Sequence, residues 1–403
     1  MKNRLIQPLH RYAPLCLAGA ASLLGSTLTA AEPEIIFNIT PGPALAALQA
    51  GNPLEQERAA NIMDGFTEAA NIWRGVLHDP VTLNLTLEYT ETPPDIGGAA
   101  LPEFLGIHYA DSLYPALLAD VSGVIDQAAV ASLPAPLPTG VPFMTNDTTV
   151  VPSPRFFDND GSNNNTFFTL TRAQSKALSL IPRHDPASDG LITINNRVPF
   201  DFDRSNGISS NQIDYLRLAA HEIGHVLGFF SGVDSVDAIG GDGNPPEGPV
   251  VDQHIDLDPF SVFTPLDLFR YTDDSLSQPN QPLGGLNEGA FGQPAPGDQP
   301  FFSIDGGLTE LATFSAGQFN GDRRQASHWQ DDLSIGILDP SLAPGELLTL
   351  SNLDIIAMDV IGWDREPIPE PYPIYLLIAG SMFGALRRPG PNCRRCFFFN
   401  QGF

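Results

Sequence analysis

The stretch LAAHEIGHVLGFFSGVD, residues 218–234, constrains this chain more than any other. Leu216, Ala219, Ala220, Ile223, Val226 and Leu227 recur at helical spacing, which predicts a helix over 212–230. Gly228 stands where a glycine C-terminal cap belongs. His221 and His225 are four residues apart, so a helix presents both imidazoles from one face. Two such histidines can hold one ion, with Glu222 beside it and free of it. That arrangement is the core of a hydrolytic zinc site. Glu222 would take a proton from metal-activated water and pass it to a departing amine.

Zinc hydrolases use three protein ligands, and the motif supplies two. Ser231 follows the glycine by three positions, but a neutral hydroxyl is a poor zinc ligand. Three candidates remain. Asp234 is close in sequence. His254 lies in the acidic segment VDQHIDLDP, and His328 lies far downstream in RRQASHWQDD. His78, His108 and His184 fall outside any ligand spacing and read as solvated or capping residues. FDNDGSNNN (157–165) and GGDGNPPEG (240–248) are rich in oxygen donors, which makes Ca2+ a secondary candidate. Neither has the spacing of a twelve-residue calcium loop, and both read as surface turns.

The rest of the chain predicts an α+β domain. EQERAANIMDGFTEAANIWRGVLH (55–78) places Ala59, Ile62, Met63, Phe66, Ala69, Ala70, Trp73 and Leu77 on one helical face. VTLNLTLEYT (81–90) then alternates with period two, with Val81, Leu83, Leu85 and Leu87 on one side. Further helices are expected near 111–132 and 172–181, and a strand is expected over 190–203. The region 231–327 is rich in Gly, Pro and Asp, and a structureless loop of that size would be unusual. It reads as a folded insertion with short strands around 267–272 and 301–314. SNLDIIAMDVIGW (351–363) reads as a closing helix with Ser351 as N-cap and Leu353, Ile356, Val360 and Ile361 as its apolar positions.

The ends differ from the middle. Residues 1–31 have a basic start at Lys2, Arg4 and Arg11, an apolar stretch and a small-residue Thr29-Ala30-Ala31 site, the pattern of a secretory signal peptide. The domain then spans 32–364. Cys16, Cys393 and Cys396 are the only cysteines, so the exported domain folds without disulfides. The net charge of −27 repels nucleic acid and anionic membranes. Residues 365–403 form a tail. Pro369-Glu370-Pro371 precedes the apolar run 372–386, which is shorter than the ~20 residues of a comfortable transmembrane helix, and then Arg387-Arg388.

That tail resembles the PEP-CTERM sorting signal of Gram-negative bacteria that make extracellular polysaccharide. The resemblance implies recognition by an exosortase and a place on the cell surface or in the extracellular matrix. PGPNCRRCFFFNQGF extends beyond the point where that family ends. His221-Glu222-x-x-His225-x-x-Gly228 is the signature of the metzincin zinc peptidases. Gly336-Ile337-Leu338-Asp339-Pro340 resembles the tight turn that this group places under the metal, with Leu338 where the family has methionine. That swap conserves volume and costs under ~1.5 kcal/mol. Met358 sits in the closing helix and reads as packing.

With Ser327-His328-Trp329 after a long insertion, the chain is similar to leishmanolysin-like metzincins and to exported PEP-CTERM metalloproteases. The likeness covers about residues 56–385. It implies a zincin fold with a twisted mixed sheet and helices above the metal cleft and an irregular subdomain below. It also implies His328 as third ligand, with Asp234 the rival. The expectation is a zinc endopeptidase acting on protein or peptide substrates. The alternatives are a non-catalytic zinc-stabilised surface protein and a zinc hydrolase of a non-peptide amide.

Overall fold

The computed structural model describes residues 34–94, 96–150, 155–239, 255–277, 299–319 and 321–365. The segment 1–31 read as a signal peptide, the tail beyond Arg365 with its apolar run and three of the signals named above (His254, the 240–248 turn and the cysteines) lie outside them. No helix of the described residues is long and apolar enough to cross a membrane.

The architecture is α+β. A four-stranded mixed sheet is built from β1 (Ile36–Pro41), β2 (Thr82–Thr90), β3 (Gly98–Pro102) and β4 (Gly190–Asn195), in the order β1-β2-β4-β3. The first three strands in that order run parallel, and β3 closes one edge antiparallel to β4. In β2 the odd-numbered residues Leu83, Leu85, Leu87 and Tyr89 are buried, while the even ones are half-buried. The predicted alternation is therefore real, and it gives the sheet one fully buried face.

Helix α1 (Pro53–Arg74) begins with a capping box. Asn52 accepts from Leu54 and Glu55 N–H groups, and Glu55 Oε2 accepts from the Asn52 N–H at 2.7 Å. Its buried face is Ala59, Ile62, Phe66, Ala69, Ala70 and Trp73, as the periodicity predicts, with Met63 half-buried. The helix stops at Arg74, so Leu77 is buried from the turn that follows.

Helix α2 (Tyr215–Leu227) crosses α1 in direct contact. The Trp73 indole N–H donates to the Ala220 carbonyl at 2.8 Å, and the Tyr215 hydroxyl donates to the Ile62 carbonyl at 2.9 Å. Gly65 leaves room for the Tyr215 ring, which a Cβ there would meet at 2.7 Å.

Several boundaries differ from expectation. The helical region near 111–132 is two helices, Tyr114–Ala119 and Val124–Ser132, after a π-turn at Tyr109–Leu113. The helix expected over 172–181 ends at Ala177, and Ser179 has a φ of 56°. It carries Lys176, fully buried, whose ammonium meets Asp189 at 2.6 Å and the Thr82 carbonyl at 2.8 Å. The insertion is folded where described. Strands β5 (Arg270–Tyr271), β6 (Phe301–Phe302) and β7 (Ala312–Thr313) make a small antiparallel sheet.

The closing helix α3 (Asn352–Val360) has Ser351 as its cap, as predicted. Its buried apolar residues are Ile355, Ala357, Met358 and Val360, whereas Leu353 and Ile356 are only partly buried. The correction has a physical origin: Asp354, one residue from that stripe, is itself drawn fully inside.

Candidate metal centre

Asp214 caps α2 by accepting from the Arg217 N–H at 3.2 Å. Two turns later His221 and, one turn beyond it, His225 project from the same face. The helix ends at Gly228, whose φ of 118° belongs to glycine, and a Cβ there would press on Gln174 at 3.1 Å. The chain then leaves for the insertion.

His328 returns to this point. Its Nε2 lies 3.2 Å from His221 Nε2 and 3.2 Å from His225 Nε2, and the latter two are 3.1 Å apart. Tetrahedral zinc with Zn–N bonds of ~2.0–2.1 Å separates its ligand nitrogens by ~3.3–3.4 Å. The observed triangle therefore fits a small cation.

The opposite ring nitrogens fix the tautomer. His221 Nδ1 is 2.9 Å from the Ile337 carbonyl, His225 Nδ1 2.8 Å from the Phe229 carbonyl, and His328 Nδ1 3.2 Å from the Gln325 carbonyl. A carbonyl only accepts, so each Nδ1 carries the proton and each Nε2 turns a lone pair to the shared centre. Burial holds all three pKa values down, and their mutual proximity lowers His221 and His328 further. Three neutral imidazoles converging lone pair to lone pair repel one another unless a cation lies between them. Three imidazoles suit zinc and other late first-row divalent ions. Among the described residues this is the one group of three or more His, Cys, Asp or Glu at metal-ligand distance. The acidic turn 157–165 forms no such group, and its Asn164 and Asn165 are buried structural residues rather than surface ones.

Each residue of Ser327-His328-Trp329 has its own anchor. Asp234 accepts from the Ser327 N–H at 3.1 Å, from its hydroxyl, and from the Ala326 N–H at 2.6 Å. Ser327 Oγ in turn accepts from the Ser231 N–H at 2.9 Å. Trp329 is fully buried against Phe229, Phe302 and Phe314, and its indole N–H donates to Asp354 at 2.8 Å. Asp234 is thus no member of the imidazole group: it holds the loop that carries His328. Ser231 turns its hydroxyl away, to Asp267 at 2.6 Å.

Below the histidines lies the Gly336–Leu338 turn. Leu338 is fully buried, and a Cβ on Gly224 would strike it at 2.7 Å, so the helix glycine lets the turn close up under the site. Asp354 ties this turn to the His328 segment. It accepts from the Ile337 N–H at 2.9 Å as well as from Trp329, and a Cβ on Gly336 would meet its carboxylate at 2.2 Å. Sequence reasoning missed Asp354. Its signal was the Ser351-x-x-Asp354 capping box, which marks the helix start but not this second task.

Glu222 is buried beside the edge strand, within reach of the Ala100 N–H, and lines the same cleft as the histidines. Desolvation pushes its carboxyl up to about 8, opposed by the Ala100 hydrogen bond. The cleft, about 640 Å³, is lined by β3, the 323–328 loop and the 339–342 segment together with α2. His78, His108 and His184 stand apart. His108 caps the turn at Asp111, and His184 pairs with Thr82 at the surface. Comparison with protein family models, curated proteins and solved structures returns no match to this chain.

Proposed function

We infer that this chain is an exported zinc-dependent endopeptidase with a zincin-like, metzincin-type domain. One observation carries the reading: three neutral imidazoles converge on one point at the floor of an open cleft, with a buried carboxylate next to them that is no member of the ligand group. A structural zinc site closes itself with four protein ligands, whereas a catalytic one keeps a position open.

His221, His225 and His328 would hold zinc, which supplies Lewis acidity that polarises a carbonyl and acidifies water. Glu222 is the general base. A cation on the histidines would favour its ionised form against the desolvation that raises it, and the carboxylate then takes the proton of the attacking water and returns it to the amine as the C–N bond breaks. The Ala100 N–H and the close backbone of Gly98 set the carboxylate's position. β3 is an edge strand lining the cleft, so an extended polypeptide can align along it through main-chain hydrogen bonds. The signal-peptide and PEP-CTERM-like segments support a surface or matrix location in a Gram-negative bacterium.

The test is metal content and hydrolysis of denatured casein. Glu222→Gln retains zinc and loses ~10²–10⁴-fold in rate, whereas His328→Ala binds the metal far more weakly. Wild-type rates in Glu222→Gln would overturn the reading.

A further inference from the structure

The cleft has two chemically different ends. Gly97 lies against Leu218, Gly98 against Glu222, and Gly190, paired with Pro102, against Val226. β3 and α2 therefore run side by side in the same direction. At their N-terminal end the lining is apolar: Ile96, Val198, Ile213 and Leu218. At the other end stand Phe230, Gln318 and Arg323. Their placement follows from the helix Val233–Ile239 just beyond α2, because the Phe319 N–H donates to its Asp237 at 2.8 Å.

Five charged residues other than the histidines line the cleft, and four are occupied. Glu222 takes the Ala100 N–H, and Asp234 takes Ala326 and Ser327. Asp339 takes the Ser341 N–H at 3.3 Å, and Arg324 is paired with Asp331 at 2.7 Å. Arg323 has no side-chain hydrogen bond or ion pair among the described residues. Its freedom is unexpected in a chain with 47 acidic and 20 basic residues, where acids to pair with are abundant.

Its backbone is also unusual. Arg323 has a φ of 70°, a left-handed conformation that residues with a side chain adopt only where their surroundings impose it. Its N–H is pinned to the Gly317 carbonyl at 3.0 Å, and Gly317 bridges Arg324. The loop thus separates two consecutive arginines. One is spent on Asp331, and the other is left exposed and unpartnered on the cleft wall.

We propose that Arg323 reads a carboxylate on the substrate. The cleft takes extended polypeptides with an acidic side chain toward the Phe230–Arg323 end and an apolar side chain toward the Ile96–Leu218 end. This rests on the endopeptidase reading, so the deciding measurement is binding, which does not need turnover. Zinc-loaded Glu222→Gln protein is titrated with labelled peptides of one sequence, carrying Asp, Asn or Lys at each position in turn. At one position Asp binds at least about fivefold tighter than Lys, the size of a well-formed exposed ion pair. Arg323→Glu reverses that order. Arg58→Glu, an equal change of net charge on exposed α1, leaves it intact. Equal binding of Asp and Lys peptides at every position, or the same profile in both variants, overturns the proposal. Separately, failure of the intact protein to cleave any of these peptides overturns the endopeptidase reading, while the binding order still decides Arg323.

Discussion

Replacing Asp234 by alanine removes three acceptor contacts at once, those to Ala326 N–H, Ser327 N–H and Ser327 Oγ. Hydrogen bonds to a charged partner are worth ~1.5–3 kcal/mol each. The site is part-buried and water can replace some of the loss, so about 2 kcal/mol remains as loosening of the segment that ends in His328. A third ligand held that much less firmly lowers metal affinity by about 30-fold. The assay is chelator competition for zinc, with thermal melting of the metal-free and metal-loaded protein. Asp234→Ala should still bind one zinc, more weakly, and should melt lower even without metal. Unchanged affinity refutes the anchoring role. Loss of zinc as complete as in His221→Ala, with the metal-free melting point unchanged, would make Asp234 a ligand instead.

Other substitutions separate metal binding from catalysis and from folding. Gly98→Ala puts a Cβ 2.7 Å from Glu222 Oε1, so the flexible carboxylate must move; zinc is retained while casein cleavage falls by ~10²-fold, read as rate at fixed metal content. Lys176→Met leaves Asp189 buried without its cation and should cost ~3–5 kcal/mol, measured by urea unfolding with the metal removed. Burial and the neighbouring Asp126 carboxyl push Asp359 up to about 8 despite Arg365, so the folded state keeps a proton that the unfolded chain releases near pH 4. The resulting stability is present in full below about pH 4 and is lost as pH rises toward 8. Asp359→Asn should flatten the fall of melting temperature between those limits, and an unchanged slope would contradict the assignment.

The parts of the fold legible in sequence are those whose signals are local. The α1 face, the alternation of β2, the Gly228 cap and the Ser351 cap all follow from neighbours within a few residues. His221, Glu222 and His225 were equally legible, because helical spacing alone brings them together. The third histidine was not fixed by spacing, since nothing between Ser231 and Ser327 encodes how far the insertion returns. Asp234 stands as the rival to His328 because it is acidic and close in sequence. The structure shows that its carboxylate is consumed by Ala326 and Ser327. Asp354 illustrates the same limit: a capping residue by pattern, it also joins Trp329 to the turn under the histidines through contacts that span the domain's C-terminal part.

His221, His225 and His328 would together hold one metal ion with a position left open. X-ray absorption at the zinc edge, on protein loaded with one equivalent, tests it most directly. Four-coordinate zinc with three imidazole nitrogens at ~2.0–2.1 Å is expected, reduced by one nitrogen in His328→Ala. An oxygen-dominated shell, or a spectrum that His328→Ala leaves unchanged, would contradict it.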